Sequence, residues 1–187
     1  HFESMFRENS TDEQIEKFTD VLADMDASAL FEVIDPARDP HIVQYDAPML
    51  MLLNLVKNAE QFAILDSTSA FAVFEGNGYF TLPYTFTAET EDELREAVSS
   101  AKNSLTTEGV VIRDANTFMV KVKSRHYKTV KSLRGALTRV LNGKDDQRAL
   151  PVLKALEADG KTLDDFMIEN VQGNISLDLP KIAPYIL

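Results

Sequence analysis

Apolar residues recur every three or four positions in several stretches of this chain, which is the pattern of amphipathic helices. The first stretch follows the polar run Ser10-Thr11-Asp12-Glu13, which has the form of a capping box, and it predicts a helix over residues 11–26. A second capping box, Thr90-Glu91-Asp92-Glu93, predicts another helix after it. The apolar positions of the two stretches are Ile15, Phe18, Leu22 and Met25, and Leu94, Val98, Ala101 and Leu105.

The pattern turns helical again after Tyr127 and stays so over most of the remaining chain. Gly135, Gly143 and Gly160 are candidate breaks in it. This region therefore offers helices rather than a series of alternating strands. Its periodic apolar residues are Val130, Leu133, Leu137, Val140, Leu150, Leu153 and Leu156.

Strand candidates lie between the helical stretches. Two apolar runs flank Gly76-Asn77-Gly78, which predicts a hairpin because glycine and asparagine favour tight turns. Asp35-Pro36 and Asp39-Pro40 lie between the first two candidates, at residues 30–34 and 41–45, and mark their ends. The third candidate, at residues 49–55, could also be helical. In chain order the candidates are residues 30–34, 41–45, 49–55, 70–75 and 79–82, followed by two strands near residues 108–113 and 118–123.

Composition narrows the class of protein. At 187 residues, with 44% hydrophobic and 26% charged residues, the chain can form a globular domain with one good core. It has no cysteine, which excludes disulfides and thiolate zinc sites, and its three scattered histidines argue against any zinc site. The sequence shows no apolar run of membrane-spanning length and no signal-peptide pattern, so we expect a cytoplasmic protein.

Positive charge is concentrated in one part of an acidic chain. The net charge is −11, yet residues 115–144 contain eight basic residues and no acidic one, so the rest of the chain carries −19. Such a local field favours a phosphate-binding stripe, although part of it could simply be a solvated helix face. The basic residues are Lys121, Lys123, Arg125, Lys128, Lys131, Arg134, Arg139 and Lys144.

Two of these lysines have the spacing of a phosphate site. Strand alternation turns Lys121 and Lys123 to one face, about 7 Å apart, while the apolar residues of the same strand face the other way. Paired ammonium groups can hold a polyphosphate. Glu108, 13 residues before Lys121, supplies the carboxylate oxygen that Mg²⁺ prefers.

These segments, with an earlier one, resemble the motifs of the covalent nucleotidyltransferases, and most closely the phage-type ATP-dependent RNA ligases of the RNA ligase 1 group. Phe31-Glu32-Val33-Ile34 with Ile42-Val43-Gln44-Tyr45 is similar to their third motif. Glu108 to Arg113 is similar to the fourth, and Lys121 to Ser124 with Tyr127 to the fifth. The resemblance covers about residues 1–130.

The resemblance implies an α+β fold. We expect a nucleotidyltransferase (ligase adenylation) domain of antiparallel sheets with flanking helices at residues 1–128, and a mostly helical C-terminal extension at 129–187. DNA ligases and capping enzymes instead continue into a β-rich OB-fold domain, which the helical pattern does not offer. The resemblance also implies that ATP and Mg²⁺ take part in the reaction. It implies that the protein acts in the cytoplasm, or in the host cytoplasm of a phage.

The sequence departs from the family at the nucleophile. The family's nucleophile is a lysine in a Lys-x-Asp-Gly motif, and no such motif occurs in this chain. The string Ala158-Asp159-Gly160-Lys161 has the wrong order and comes too late. In relatives that lysine precedes the counterpart of Glu32 by a few tens of residues. We therefore expect this chain to be a piece of a longer protein. The piece lacks the nucleophile and is inactive alone. The alternative is that the protein is an inactive homologue.

The resemblance also assigns roles to individual residues. Lys121 and Lys123 would hold the α-phosphate, Glu108 would bind Mg²⁺, and Glu32 would accept hydrogen bonds from the ribose. Leu52 and Val111 would form the walls around adenine, although both are also typical core residues. Alternation places Glu108 and Val111 on opposite faces; if both line the pocket, the strand must begin irregularly, which Gly109 could permit. A further prediction comes from position rather than from the resemblance: four basic residues on a strand exit and a helix start near Lys123 would contact RNA, namely Arg125, Lys128, Lys131 and Arg134.

The reaction that the resemblance implies has three steps: a lysine attacks the α-phosphate of ATP, takes AMP and releases pyrophosphate; AMP passes to an RNA 5′-phosphate; and a 3′-hydroxyl displaces AMP to seal the strand in RNA repair. Each step is an in-line displacement at phosphorus, so positioning and charge neutralisation dominate. The alternatives are a non-catalytic module that binds nucleotide or RNA ends, and a DNA ligase.

Overall fold

The computed structural model describes residues 1–38, 41–116, 118–169 and 175–186 and shows a mixture of helices and small sheets. This mixture agrees with the predicted α+β class. The helices are α1 (Phe2–Glu8), α2 (Asp12–Asp24), α3 (Thr68–Phe71), α4 (Glu91–Asn103), α5 (Arg125–Leu141), α6 (Leu150–Ala158) and α7 (Leu179–Ile182). The strands are β1 (Ala27–Ile34), β2 (Met49–Lys57), β3 (Ile64–Leu65), β4 (Phe80–Thr81), β5 (Gly109–Arg113), β6 (Met119–Lys123), β7 (Met167–Glu169) and β8 (Ile175–Leu177).

The chain forms two compact units. The first contains His1–Asp35, Asp46–Thr87 and Arg113–Met119, and the second contains Pro36–Tyr45, Ala88–Ile112 and Val120–Leu187. The expected boundary between residues 128 and 129 lies within α5 and stays a prediction. Among the helices that the structure describes, none combines the length and the apolarity needed to cross a membrane.

The first unit is built on a four-stranded sheet. β1 and β2 pair antiparallel along their length, with one irregularity between Leu30 and Phe31, and β3 and β4 both pair with β2. An aromatic cluster covers the sheet, and within it the Phe74 and Phe80 rings stack with centroids 3.9 Å apart. The cluster consists of Phe6, Phe18, Phe31, Phe74 and Phe80.

Both capping boxes form, one of them a residue later than predicted. In α2 the N-cap is Thr11, whose side chain accepts from Gln14 N while the Gln14 amide accepts from Thr11 N, so Ser10 and Glu13 are not the pair. In α4 the predicted pair of Thr90 and Glu93 is confirmed. Each box satisfies donors that a helix start leaves unpaired.

Two predicted strand assignments are wrong. Residues 41–45 form no strand in the structure; instead Ile42 packs against the core of the second unit, and the His41 and Tyr45 rings meet edge to face. The hairpin around residues 70–82 is replaced by α3, a 3₁₀ turn at Ala72–Phe74 and the short strand β4, which runs parallel to β2. The run Phe71 to Phe74 lacks the alternation of a strand, and the helical turns allow Phe74 to stack on Phe80.

The second unit has a mainly helical core. α5, α6 and α7 surround it, and the antiparallel strands β7 and β8 add a small hairpin to the region predicted to be mostly helical. α5 begins at Arg125, before Tyr127, and continues through Gly135, while Gly143 and Gly160 follow the ends of α5 and α6 as predicted. The buried core residues include Val130, Leu133, Ala136, Leu137, Val152, Leu156, Phe166, Leu177 and Ile182.

Candidate functional site

The base of the β5–β6 hairpin brings together two of the residues that the sequence analysis assigned to metal and phosphate. Glu108 directly precedes β5, and Lys123 ends β6. The Ser124 N–H donates to the Glu108 carbonyl oxygen at 2.8 Å, and the Lys123 ammonium forms a salt bridge with Glu108 Oε2. Both side chains are largely but not fully buried, so the pair can be reached from solvent.

Gly109 allows the strands to approach this closely. Its φ of +138° lies in the region that favours glycine, and a Cβ added there would lie 2.0 Å from the Val122 carbonyl oxygen and 2.8 Å from Lys123 Cα. No other residue fits that space without moving the backbone. The φ of Gly109 gives β5 an irregular start, which sequence alternation requires if Glu108 and Val111 are to line one pocket; that shared pocket stays a prediction.

The start of α5 completes this site. Ser124 is fully buried and is the N-cap of α5, since its Oγ accepts from Tyr127 N at 3.1 Å. The Tyr127 ring receives two ammonium groups: Lys123 Nζ lies 4.4 Å from the ring centroid and Lys131 Nζ lies 5.5 Å from it. Two ammonium groups thus meet at one ring, and one of them also pairs with the Glu108 carboxylate, which leaves a net positive charge. We call Glu108, Lys123, Tyr127 and Lys131 the hairpin-base cluster.

The remaining nucleotide residues lie elsewhere on the two units. Lys121 is exposed on β6, and Val111, on β5, is 56% exposed. In the first unit, Glu32 is exposed on β1, whereas Leu52 on β2 is only 1% exposed and belongs to the hydrophobic core. The ribose role of Glu32 and the adenine roles of Leu52 and Val111 stay predictions.

All four residues predicted to contact RNA lie on α5, including Arg125, which was expected at a strand exit. Arg125, Lys128 and Lys131 are exposed. Arg134 is partly buried, and its Nη2 donates to the buried Ser176 Oγ at 2.8 Å, which ties α5 to β8. The structure therefore gives Arg134 a contact within the fold.

Sequence reasoning missed two groups of residues. Ser124 and Tyr127 were assigned only to a motif, although a serine directly before a helical pattern is a signal for an N-cap. Lys102 and Asn103, at the end of α4, were not singled out, and they line a cleft with Arg125. No sequence signal identifies that cleft, because it requires α4 and α5 to be neighbours.

The hairpin base also bears on metal binding. In the described ranges, no three or more histidine or acidic side chains are grouped as metal ligands would be. Glu108 offers a single carboxylate, and its Oε2 contacts Lys123. Mg²⁺ is usually held by one or two carboxylates together with waters and substrate phosphates, so a single carboxylate such as Glu108 is compatible with Mg²⁺ beside a polyphosphate, and this role of Glu108 stays a prediction.

Comparison with known proteins gives one family match. The model of a family described as RNA ligase, of the phage T4 RNA ligase 1 type, matches residues 1–127. No curated protein matches the chain in sequence. The family match includes every residue predicted to contact nucleotide, and it ends at Tyr127 in the first turns of α5.

Proposed function

We propose that this chain, which belongs to the RNA ligase family of the phage T4 RNA ligase 1 type, carries the phosphate-binding part of an ATP-dependent RNA ligase with a nucleotidyltransferase fold. The observation that carries the proposal is the hairpin-base cluster. It unites a carboxylate and two lysines within the matched segment and next to it. The products would be RNA strands sealed between 5′-phosphate and 3′-hydroxyl ends.

The cluster supports this chemistry through its charges. A polyphosphate brings negative charge that Lys123 can take up, and Lys123 would then release Glu108. Glu108 would in turn hold Mg²⁺, which would neutralise phosphate charge. In the bound site, Lys123 would pair with phosphate and Glu108 with Mg²⁺, so neither side chain would be left buried and unpaired.

Each residue then has a definite part in an in-line displacement at phosphorus. Lys121 and Lys123 would stabilise the charge that develops on the α-phosphate, and Glu32 would orient the ribose. Arg125, Lys128 and Lys131 would contact RNA phosphates. The tie between Arg134 and Ser176 supports a positioning role of Arg134 for α5, with direct RNA contact as the untested prediction.

Nucleotide binding by the 187-residue chain tests the proposal. The chain contains no Lys-x-Asp-Gly sequence, so we expect ATP with Mg²⁺ to bind without a stable mass increase of one AMP. Lys123→Ala and Lys121→Ala should each weaken ATP binding about tenfold or more, because each removes a charged contact worth about 1.5–3 kcal/mol. Lys154→Ala, an exposed lysine on α6, is the charge-matched control.

Two results would contradict the proposal. The lysine assignment is wrong if both β6 variants bind ATP as well as Lys154→Ala does. The absence of a nucleophile is contradicted if mass spectrometry finds a covalent AMP adduct. In the whole protein, the same β6 variants should suppress transfer of AMP to the enzyme by orders of magnitude, since they act on the reacting phosphate.

A second candidate is a ligase-like module that binds nucleotide or RNA ends without chemistry, since the charges of the hairpin-base cluster would suffice for binding. Both candidates predict ATP binding at the hairpin base. They differ in the whole protein: a ligase forms an AMP adduct with ATP and seals nicked or broken RNA, whereas a binding module does neither. Parallel assays with DNA strands test the DNA ligase alternative.

A further inference from the structure

A cleft runs between α4 and α5 within the second unit. Two adjoining cavities of about 280 and 430 Å³ form it, and both are lined by Lys102, Asn103 and Arg125. The larger volume lies at the lower end of the range for ligand sites, which begins at about 300 Å³, and the smaller one lies just below it. Lys102 and Asn103 end α4, and Arg125 begins α5, so two helix ends hold these groups in place.

The charge of the cleft is unusual for this acidic chain. The smaller cavity is lined by two cations and no carboxylate. Among the salt bridges of the described residues, none includes Lys102 or Arg125, although the chain has 30 acidic residues for 19 basic ones. Arg95, in the larger cavity, shows the contrast, because it is held by Glu91 at 2.6 Å.

The other lining groups suit a nucleotide unit. The Asn103 amide and the Thr129 hydroxyl add hydrogen-bonding groups to the two cations. Leu105 and Ile186 add apolar surface, and Leu105 is 62% exposed. Cations with hydrogen-bonding groups recognise phosphate, and apolar surface beside them accommodates sugar and base without reading sequence.

We propose that the α4–α5 cleft binds a backbone phosphate of a single-stranded RNA, with Lys102 and Arg125 as its cations and Asn103 and Thr129 as hydrogen-bonding partners. This inference rests on the proposed function for the identity of the strand, and it extends the RNA contacts from α5 to α4. The cleft is separate from the hairpin-base cluster, since the two share no residue. It would position the strand and take no part in AMP transfer.

Fluorescence anisotropy with a 5′-phosphorylated single-stranded RNA, titrated with the 187-residue chain at several salt concentrations, tests this site. Lys102→Ala should weaken binding several-fold and reduce the magnitude of the salt slope by about 0.7, the value of one phosphate contact on a single strand. The double variant, Lys102→Ala with Arg125→Ala, should reduce the magnitude of the salt slope about twice as much. Lys102→Arg should retain most of the binding, and Lys154→Ala should behave as wild type.

ATP binding by the same variants separates this inference from the proposed function. We expect Lys102→Ala to bind ATP with Mg²⁺ as the wild type does. If the wild type binds RNA and Lys102→Ala keeps its affinity and salt slope, the cleft assignment is overturned while the ligase proposal stands. Equal loss of ATP and RNA binding would make the cleft a nucleotide site and also overturn it. A wild type that binds ATP but no RNA overturns the inference alone, and one that binds neither overturns both.

Discussion

The β1–β2 pair and the β5–β6 hairpin are held in different ways. β2 buries Leu50, Leu52 and Leu55 almost completely, against the aromatic cluster of the first unit. In the hairpin, by contrast, apolar residues of both strands and of the connection are exposed, among them Val111 and Phe118. The first pair is therefore stabilised mainly by apolar burial. The hairpin depends on the pairing of its strands, on the turn at Asp114, whose Oδ1 accepts from Phe118 N at 2.9 Å, and on contacts at its base.

Those contacts are polar and local. They comprise the hydrogen bond from Ser124 N to Glu108 O, the salt bridge between Glu108 and Lys123, and the backbone approach that Gly109 allows. The hairpin therefore contributes little to the cores and keeps its surface available for ligands. Substitutions in the two regions should consequently affect different properties: global stability in one and local geometry or binding in the other.

Truncation of an aromatic side chain should show the largest difference. Phe74, 1% exposed, contacts the rings of Phe6, Phe18 and Phe80, so Phe74→Ala should lower the free energy of unfolding by about 3–5 kcal/mol. Phe118→Ala is the matched control, and because Phe118 is 68% exposed it should change that free energy by no more than about 0.5 kcal/mol. Urea unfolding of both variants measures this. Similar losses would remove the distinction between the two regions.

A methyl group at Gly109 should disturb the base of the hairpin. Gly109→Ala places a Cβ against the Val122 carbonyl at a strained φ, so we expect a loss of about 1–3 kcal/mol. Faster hydrogen exchange of the Ser124 amide should accompany it, because that amide donates to Glu108 O. Gly135→Ala in α5 is the control: a Cβ added there would meet nothing within 4 Å outside its own helix, and alanine should stabilise the helix by up to about 1 kcal/mol. Unchanged protection of Ser124 in Gly109→Ala would contradict this account.

Much of the local structure could be predicted because it depends on neighbouring residues. The capping residue Thr90, the long strand around Leu52 and the two lysines of β6 all follow from patterns over a few positions. The failures depended on distant partners. Phe74 stacks on Phe80 only because a helical turn and a parallel strand bring them together, and no alternation in sequence signals that arrangement.

The candidate site shows the same division. Spacing identified Glu108 and Lys123, and the structure adds that they form a salt bridge with each other. The position of Tyr127 in the first turn of α5, and its contacts with two ammonium groups, depend on how α5 leaves the hairpin. The cleft between Lys102 and Arg125 requires two helices to be neighbours. These features are set by packing, which a single sequence does not specify.

The helix cap at the hairpin base should have an intermediate effect. Ser124→Ala removes the acceptor for Tyr127 N at a buried position, so we expect a loss of about 0.5–2 kcal/mol in the free energy of unfolding. Ser100→Ala, at an exposed position within α4, should have almost no effect. Thermal unfolding of the two variants decides this. If they were equally stable, the hairpin base would not depend on its polar contacts as the comparison requires.

The smallest effect should be one of pH, and it arises where polar contacts join elements of the second unit. Asp146 accepts from Arg148 Nε at 3.0 Å and from its Nη2 at 2.7 Å, and Arg139 Nε of α5 lies 3.5 Å away. The hydrogen bonds from Arg148, and then the charges of both arginines, lower the pKa of Asp146 from 3.8 to about 2. A lowered folded-state pKa stabilises the fold above pH 3.8, and this contribution is lost as the pH falls through about 2.

Arg148→Ala should therefore raise the pKa of Asp146 part of the way toward its ordinary value, since Arg139 remains, and should shift the acid unfolding of the second unit to higher pH. An NMR titration of the Asp146 carboxyl carbon measures the first effect. Arg95→Ala, which removes an exposed pair with Glu91 on α4, should leave that titration unchanged. The apolar contacts of Phe74 contain no titrating group, so Phe74→Ala should not move it either. If Arg148→Ala left the pKa of Asp146 unchanged, Arg148 would not be what lowers that pKa in solution.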